Sequence, residues 1–348
     1  MRIGWRAPRV AAVFLTCASG LTGMSSGMHW GPAAEPSGLV ACAPSEPPPG
    51  YESTVGMARA GSDVSSTGLA YRVVLPGIAL LAEPPIRPTA GEDISALRAA
   101  LAEEIASAQT PGDFAFAVTD LQTGEHISVN GERQQTAACV MNLFAIIAAL
   151  RDVQGGLYPL EDVDALIRQT IYASDAVTGR ELYKRVGGGD IVTGVGRVRD
   201  LQLVVIGMQS TSLDHPPAFP DESLGIGEEN LITADDAALG LEALYEGRLL
   251  NEELTDWLID AMEGVKPGLN YLTAALPPEA TVSHKNGFVP LPDGYVDNDV
   301  AIVRFGPDLK YAYAVTFFSE RVPEEYADIP LAQRLVRMTW EYFSSTYP

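Results

Sequence analysis

Cysteine is scarce in this chain, at three in 348 residues, and histidine hardly less so, at four. Cys17, Cys42 and Cys139 form no C-x-x-C pair, which excludes a disulfide scaffold and the usual zinc motifs. Positive charge is also in short supply: 23 Lys and Arg stand against 45 Asp and Glu, a formal net charge of −22. That balance excludes a basic phosphate-backbone binder, so no nucleic-acid partner is expected. No apolar run reaches the length of a bilayer-spanning helix, and no transmembrane segment is expected.

What is present is enough apolar material for a core. At 47% hydrophobic and 20% charged residues the chain is too apolar to be disordered throughout. The acids are scattered along it, which reads as a solvated surface rather than a metal site, and nothing calls for a cofactor.

The first 23 residues read as a secretory signal: Arg2, Arg6 and Arg9 precede a short apolar run, Val10 to Ala18, that ends in small residues. Residues 24–91 are rich in Gly, Pro, Ser and Ala and cannot bury enough apolar surface to offset their conformational entropy, so they read as a linker. Within it Tyr71 to Leu81 could dock as a strand. Leu39-Val40-Ala41-Cys42 is similar to a lipobox, though Pro32 and Pro36 separate it from the apolar run, so lipid anchoring through Cys42 is the lesser alternative to simple secretion to the cell envelope or beyond.

The folded unit is expected over 92–348. Ile94, Leu97, Leu101 and Ile105 recur at helical spacing in Asp93 to Ala108. Phe114 to Asp120 and His126 to Val129 read as a hairpin turning at Leu121 to Gly124. Val140 to Val153 is nearly all apolar and predicts a helix buried on every side. Helical segments are expected through about Leu182, over Asp235 to Tyr245 and over Asn251 to Met262; strands over Asp299 to Phe305 and Tyr311 to Phe318; a last helix over Leu331 to Phe343. That order predicts an α+β protein, an antiparallel sheet flanked by two terminal helices with an all-helical lobe, about 140–265, inserted.

Three segments carry chemistry. Thr136 to Phe144 opens the buried helix; Tyr172-Ala173-Ser174-Asp175-Ala176 follows, with Ser174 35 positions after Cys139; His284-Lys285-Asn286-Gly287-Phe288-Val289-Pro290 lies late in the chain. In order and spacing they resemble the Ser-x-x-Lys, Ser-Asp-Asn and Lys-Thr-Gly elements of class A β-lactamases and DD-peptidase-like serine hydrolases. The short gap between the first two is similar to the compact secreted branch, where Lys-Asn-Gly also occurs.

The resemblance implies a nucleophilic serine activated by a lysine one helical turn later. Cys139 and Asn142 occupy those positions, and asparagine takes no proton near neutral pH. Ala176 replaces the asparagine that the family uses to hold the substrate amide. Ser174, Lys285, Asn286 and Gly287 remain as a hydroxyl, a cation, a polar side chain and a close backbone approach. Asp214, Asp221, Glu222, Glu228 and Glu229, between Gly207 and Thr233, do not match the acidic loop that holds a deacylating water.

Two functions follow. The first is a catalytically impaired or inactive exported relative that binds a cell-wall peptide or β-lactam-like carboxylate between Ser174 and Lys285. The second is an acyl hydrolase with Cys139 as nucleophile, a thiol at a helix start being intrinsically more nucleophilic than an alcohol. A small apolar filler is the plainer role for Cys139. None of His29, His126, His215 and His284 is placed as its base, and His284 must face away if Lys285 faces the cleft. Asp175 is expected to cap a helix, and Gly187-Gly188-Gly189 to end one.

Overall fold

The computed structural model describes residues 94–227, 229–263 and 271–347. The expected signal, linker and lipobox, with Cys17, His29, Cys42 and the Tyr71 to Leu81 strand, lie outside the described residues.

Helix α1 (Ser95–Ala106) leads into strands β1 (Asp113–Asp120) and β2 (His126–Val129), joined by the expected turn, where Gly124 takes φ +75°. After the two-residue strand β3 (Gln135–Thr136), a one-turn 3-10 helix (Ala138–Met141) precedes α2 (Asn142–Gln154). The buried helix therefore begins two residues later than its apolar run suggests. Its side chains from Asn142 to Leu150 are all buried, as a helix without a polar face requires.

The lobe continues through α3 (Asp164–Tyr172), α4 (Ala176–Val186) and α5 (Ile191–Asp200). Helix α5 runs on through a wider π turn (Leu201–Ile206) that stops at Gly207, φ +95°. Neither α5 nor this turn was legible in the sequence, where Gly194 and Gly196 interrupt the apolar pattern. Gly187 to Gly189 do end a helix, with Gly188 and Gly189 at positive φ. Then come β4 (Leu231–Ile232), which pairs with β3, and helices α6 (Ala234–Tyr245) and α7 (Glu252–Ala261). Strands β5 (Thr281–Leu291), β6 (Gly294–Phe305) and β7 (Tyr311–Glu320) and helix α8 (Ile329–Thr346) complete the chain.

The main sheet has the order β2-β1-β7-β6-β5, with all neighbours antiparallel. Its two faces serve different cores. Phe114, Phe116, Ala301, Val303, Val315 and Phe317 pack with Leu97, Leu101, Leu335 and Phe343 of the terminal helices α1 and α8. Ala115, Ala117, Val300, Ile302, Ala314 and Phe318 pack with the helical lobe through α2 and α6. Because side chains alternate along a strand, the register decides which face each residue of β5 and β6 serves. Lys285 lies opposite Val300, on the lobe face; His284 lies opposite Ala301, on the terminal-helix face.

Candidate functional site

The site is built where the 3-10 turn, the start of α4 and strand β5 meet. Asp175 is the N-cap of α4, its carboxylate accepting from Thr178 N at 2.7 Å. This capping role is the one its place in the sequence suggests. The preceding Ser174 lies in the left-handed region, at φ +51°, and Ala138, just before Cys139, is at φ +47°. Such a conformation costs a non-glycine residue about 1–3 kcal/mol and persists only where surrounding contacts over-determine it. Here one strained residue is the candidate Ser174 itself and the other immediately precedes Cys139.

Lys285 reaches Ser174 across the lobe–sheet junction. Its Nζ donates to Ser174 Oγ at 2.6 Å and to the Asn286 carbonyl at 2.5 Å, and Ser174 Oγ donates to that same carbonyl at 3.0 Å. Lys285 is 0% exposed and Ser174 8%. A strand-end lysine in water is the ordinary expectation; the structure corrects it, because β5 presses this stretch against the 3-10 turn.

Gly287 shows how tight that junction is. A Cβ there would lie 2.9 Å from Val140 N and 3.0 Å from both Ala137 O and Cys139 N, all backbone atoms. Only glycine fits. Asn298, opposite Gly287 on β6, donates from Nδ2 to Thr136 O at 2.8 Å and Ala137 O at 3.3 Å, and its Oδ1 accepts from Ser319 N at 3.2 Å. The loop is further held by Glu320, whose carboxylate accepts from Thr136 N at 2.5 Å. Neither Asn298 nor Glu320 stood out in the sequence, since their bonds to Thr136 and Ala137 join residues more than 160 positions apart.

Cys139 is 4% exposed, a thiol set into the turn rather than presented to solvent. Asn142 is fully buried, and neither its amide nitrogen nor its oxygen has a hydrogen-bond partner. Gly179 of α4 packs directly on it; a Cβ at that glycine would stand 2.5 Å from Asn142 Nδ2. Also on α4, Tyr183 is fully buried with an unpartnered hydroxyl, whose pKa is raised by burial and then by the nearness of Cys139. Gln202 donates to Met141 Sδ at 2.8 Å. Asn142 itself takes no proton near neutral pH. Ala176, the first residue of α4, is buried and offers no polar side chain.

Asn286 contributes its carbonyl to the Lys285–Ser174 contact. Its side chain is buried, with neither amide atom hydrogen-bonded, and it shares the register position of Asp299 rather than that of Lys285.

The described histidines each have a partner. His126 Nε2 pairs with Asp235 at 3.0 Å, His215 Nδ1 with the Pro216 carbonyl at 2.9 Å, and His284 Nδ1 with Asp299 at 3.0 Å on the far face of the sheet. The acids of the 207–233 segment are engaged elsewhere: Asp214 accepts from Ile226 N at 3.2 Å and Glu222 pairs with Arg180. Glu228 lies outside the described residues. Two surface concavities of about 300 and 350 Å³, lined in part by Asp113, Asn130 and Arg133 and by Asp162, Glu181 and Arg185, include none of the candidate residues.

An antiparallel sheet between two terminal helices and a helical lobe, with a lysine on β5 reaching a serine at the head of a lobe helix, defines the β-lactamase and DD-peptidase class of fold. The β-lactamase enzyme family profile matches residues 96–163 and 162–343, and the chain belongs to that family. A β-lactamase from Chitinophaga pinensis shares the fold with a TM-score of 0.60 and 21% identity, covering 71% of this chain and 99% of its own. One from Sphaerobacter thermophilus aligns with a TM-score of 0.58 and 23% identity, over 74% and 100% of the two chains. PBP-A aligns with a TM-score of 0.60 and 19% identity, over 75% and 99%. No curated protein sequence matches the chain. Among the described residues no helix is long and apolar enough to cross a membrane.

Proposed function

We propose that this protein is a member of the family that binds a carboxylate-bearing β-lactam or peptidoglycan-like peptide without turning it over. The observation that carries the reading is the pairing of an intact Lys285–Ser174 contact, 2.6 Å long, with a neutral, fully buried Asn142 where the activating lysine would stand. A carboxylate arriving at Ser174 takes over the hydroxyl hydrogen bond otherwise made to the Asn286 carbonyl, while the ammonium behind donates to the same oxygen, a charge-assisted arrangement. Nothing at the asparagine can take a proton from Cys139, and a positioned acid–base group is typically worth about 10²- to 10⁴-fold in rate. With the cation buried, binding depends only weakly on salt, because buried charges are screened less than exposed ones.

Export is part of the proposal and rests on the basic start and short apolar run of the sequence. Calorimetric titration with a panel of β-lactams and carboxylate-bearing peptides tests binding, and a chromogenic cephalosporin tests turnover. The expected result is reversible binding with hydrolysis no faster than in buffer. Absence of binding across the panel overturns the proposal. Saturable hydrolysis lost in Cys139→Ala replaces it with the thiol hydrolase.

A further inference from the structure

On the face of the sheet away from Lys285, two aspartates are buried together. Asp297 lies on β6 opposite Phe288, and Asp328 is the residue from which α8 departs. Both are fully buried, and none of their four carboxylate oxygens has a hydrogen bond of ordinary geometry; the nearest donors, the Tyr271 hydroxyl and Tyr326 N–H beside Asp297 and the Ser319 hydroxyl beside Asp328, carry no charge. Asp328 occupies an N-cap position, yet its side chain makes no cap bond, unlike Asp175 and Asp190, which cap α4 and α5. It is the Asp328 carbonyl that accepts from Leu331 N and Ala332 N, at 2.9 and 3.1 Å. The carboxyl is turned inward, toward Asp297 and Ser319.

The groups around the pair offer no compensating cation. Ser319 exchanges bonds with the Asp297 backbone, accepting from its N at 2.9 Å and donating to its O at 3.0 Å. Tyr271 and Tyr326 face Asp297, and burial holds both phenols protonated well above neutrality. Glu325 adds negative charge beside Tyr326, and Asp299, the next acid on this face of β6, is engaged with His284. Among the described residues neither Asp297 nor Asp328 makes an ion pair with Lys, Arg or His.

Two ionised carboxylates in such a place repel one another without solvent to absorb the charge, whereas one carboxyl and one carboxylate can hydrogen-bond. We propose that Asp297 and Asp328 share a proton and so form a clasp between β6 and the first turn of α8, which alkali opens. Consistent with this, burial first and the charge of Asp328 second push the Asp297 carboxyl up to about 8. The clasp adjoins Asn298, whose amide holds the backbone before Cys139.

The sign of the pH dependence follows. The folded chain keeps a proton that the unfolded chain releases near the ordinary aspartate value of 3.8. Between about pH 4 and 8 the folded state therefore binds more protons, and stability falls as pH rises, with the unfolding constant growing by up to about tenfold per pH unit for one proton.

Urea unfolding of the full chain at several pH values across about 5.5 to 8.5, for wild type, Asp297→Asn and Asp328→Asn, tests this. An amide mimics the protonated partner, so each variant is expected to show a dependence shallower by up to about tenfold per pH unit. Hydrogen exchange at Leu331 and Ala332, corrected for intrinsic base catalysis, should rise above pH 8 in wild type and not in the variants. Parallel pH curves for all three proteins overturn the proposal. If the variants do not fold, carbon-13 detection of aspartate carboxyls in the wild type decides it: an aspartate titrating near 8 supports the clasp, and all titrating near 4 sinks it.

Discussion

Lys285 and Ser174 are 111 positions apart in the chain and 2.6 Å apart in the fold, and both are buried. The lysine extends from β5 to the residue that precedes α4, so one side chain joins the sheet to the helical lobe. Its stem packs in the interior and its ammonium is spent on Ser174 Oγ and the Asn286 carbonyl. This is structural work, beside the anion recognition proposed for the same pair.

Lys285→Ala is therefore expected to destabilise the protein by about 2–4 kcal/mol, from the lost stem and the lost charged hydrogen bonds. Lys285→Met keeps most of the volume and should lose only the hydrogen-bonding part. Urea unfolding measures both. An alanine variant within about 0.5 kcal/mol of wild type, the ordinary result for a surface residue, would mean that the ammonium is solvated.

Glycine positions separate close approach from open space. Gly287→Ala places a Cβ against three backbone atoms that cannot rotate away, and is expected to cost about 1–3 kcal/mol or more. Gly196→Ala, in α5, meets only Leu224 Cδ2 at 3.8 Å and should stabilise by about 0.4–1 kcal/mol. Thermal or chemical melts of the two variants should shift in opposite directions; a shift in the same direction contradicts the packing described.

Asn298→Ala removes the donor to two carbonyls and the acceptor for Ser319 N, leaving buried backbone groups unpaired. The expected loss is about 2–4 kcal/mol, together with faster hydrogen exchange over residues 136–140. Asn298→Asp is no rescue, because a carboxylate cannot donate to carbonyls. If either variant melts like wild type, Asn298 does not hold the turn.

For export, N-terminal sequencing of protein recovered from the native host is expected to find a mature start after Ala18. Recovery of the Met1 form from the cytoplasm would reverse the assignment.

The class of fold was legible in the sequence because its signals are local. Helix and strand periods, the Asp120 to Gly124 turn, the Asp175 cap and the triple-glycine helix end each depend on a few neighbouring residues, and each is present in the structure. The 3-10 start before α2 and the π turn after α5 were not legible, since packing against β5 and the glycine-interrupted pattern of α5 leave no period to read. The identities at Cys139, Asn142 and Ala176 likewise needed no coordinates: no fold can make an asparagine a base near neutral pH.

What only the tertiary structure decided is which groups are in water and which are not. The sequence offers Lys285 as the cation of a motif and singles out neither Asp297 nor Asp328; strand register and the meeting of lobe and sheet bury the lysine against Ser174, and the start of α8 leaves Asp328 buried beside Asp297. Burial is a property of contacts between distant segments, and the energy of a charge depends on its surroundings far more than on its neighbours in sequence. For that reason the chemistry of this chain's residue types, and the partnership of Ser174 with Lys285, could be read in advance, while the burial of that pair and the meeting of Asp297 with Asp328 came from the fold.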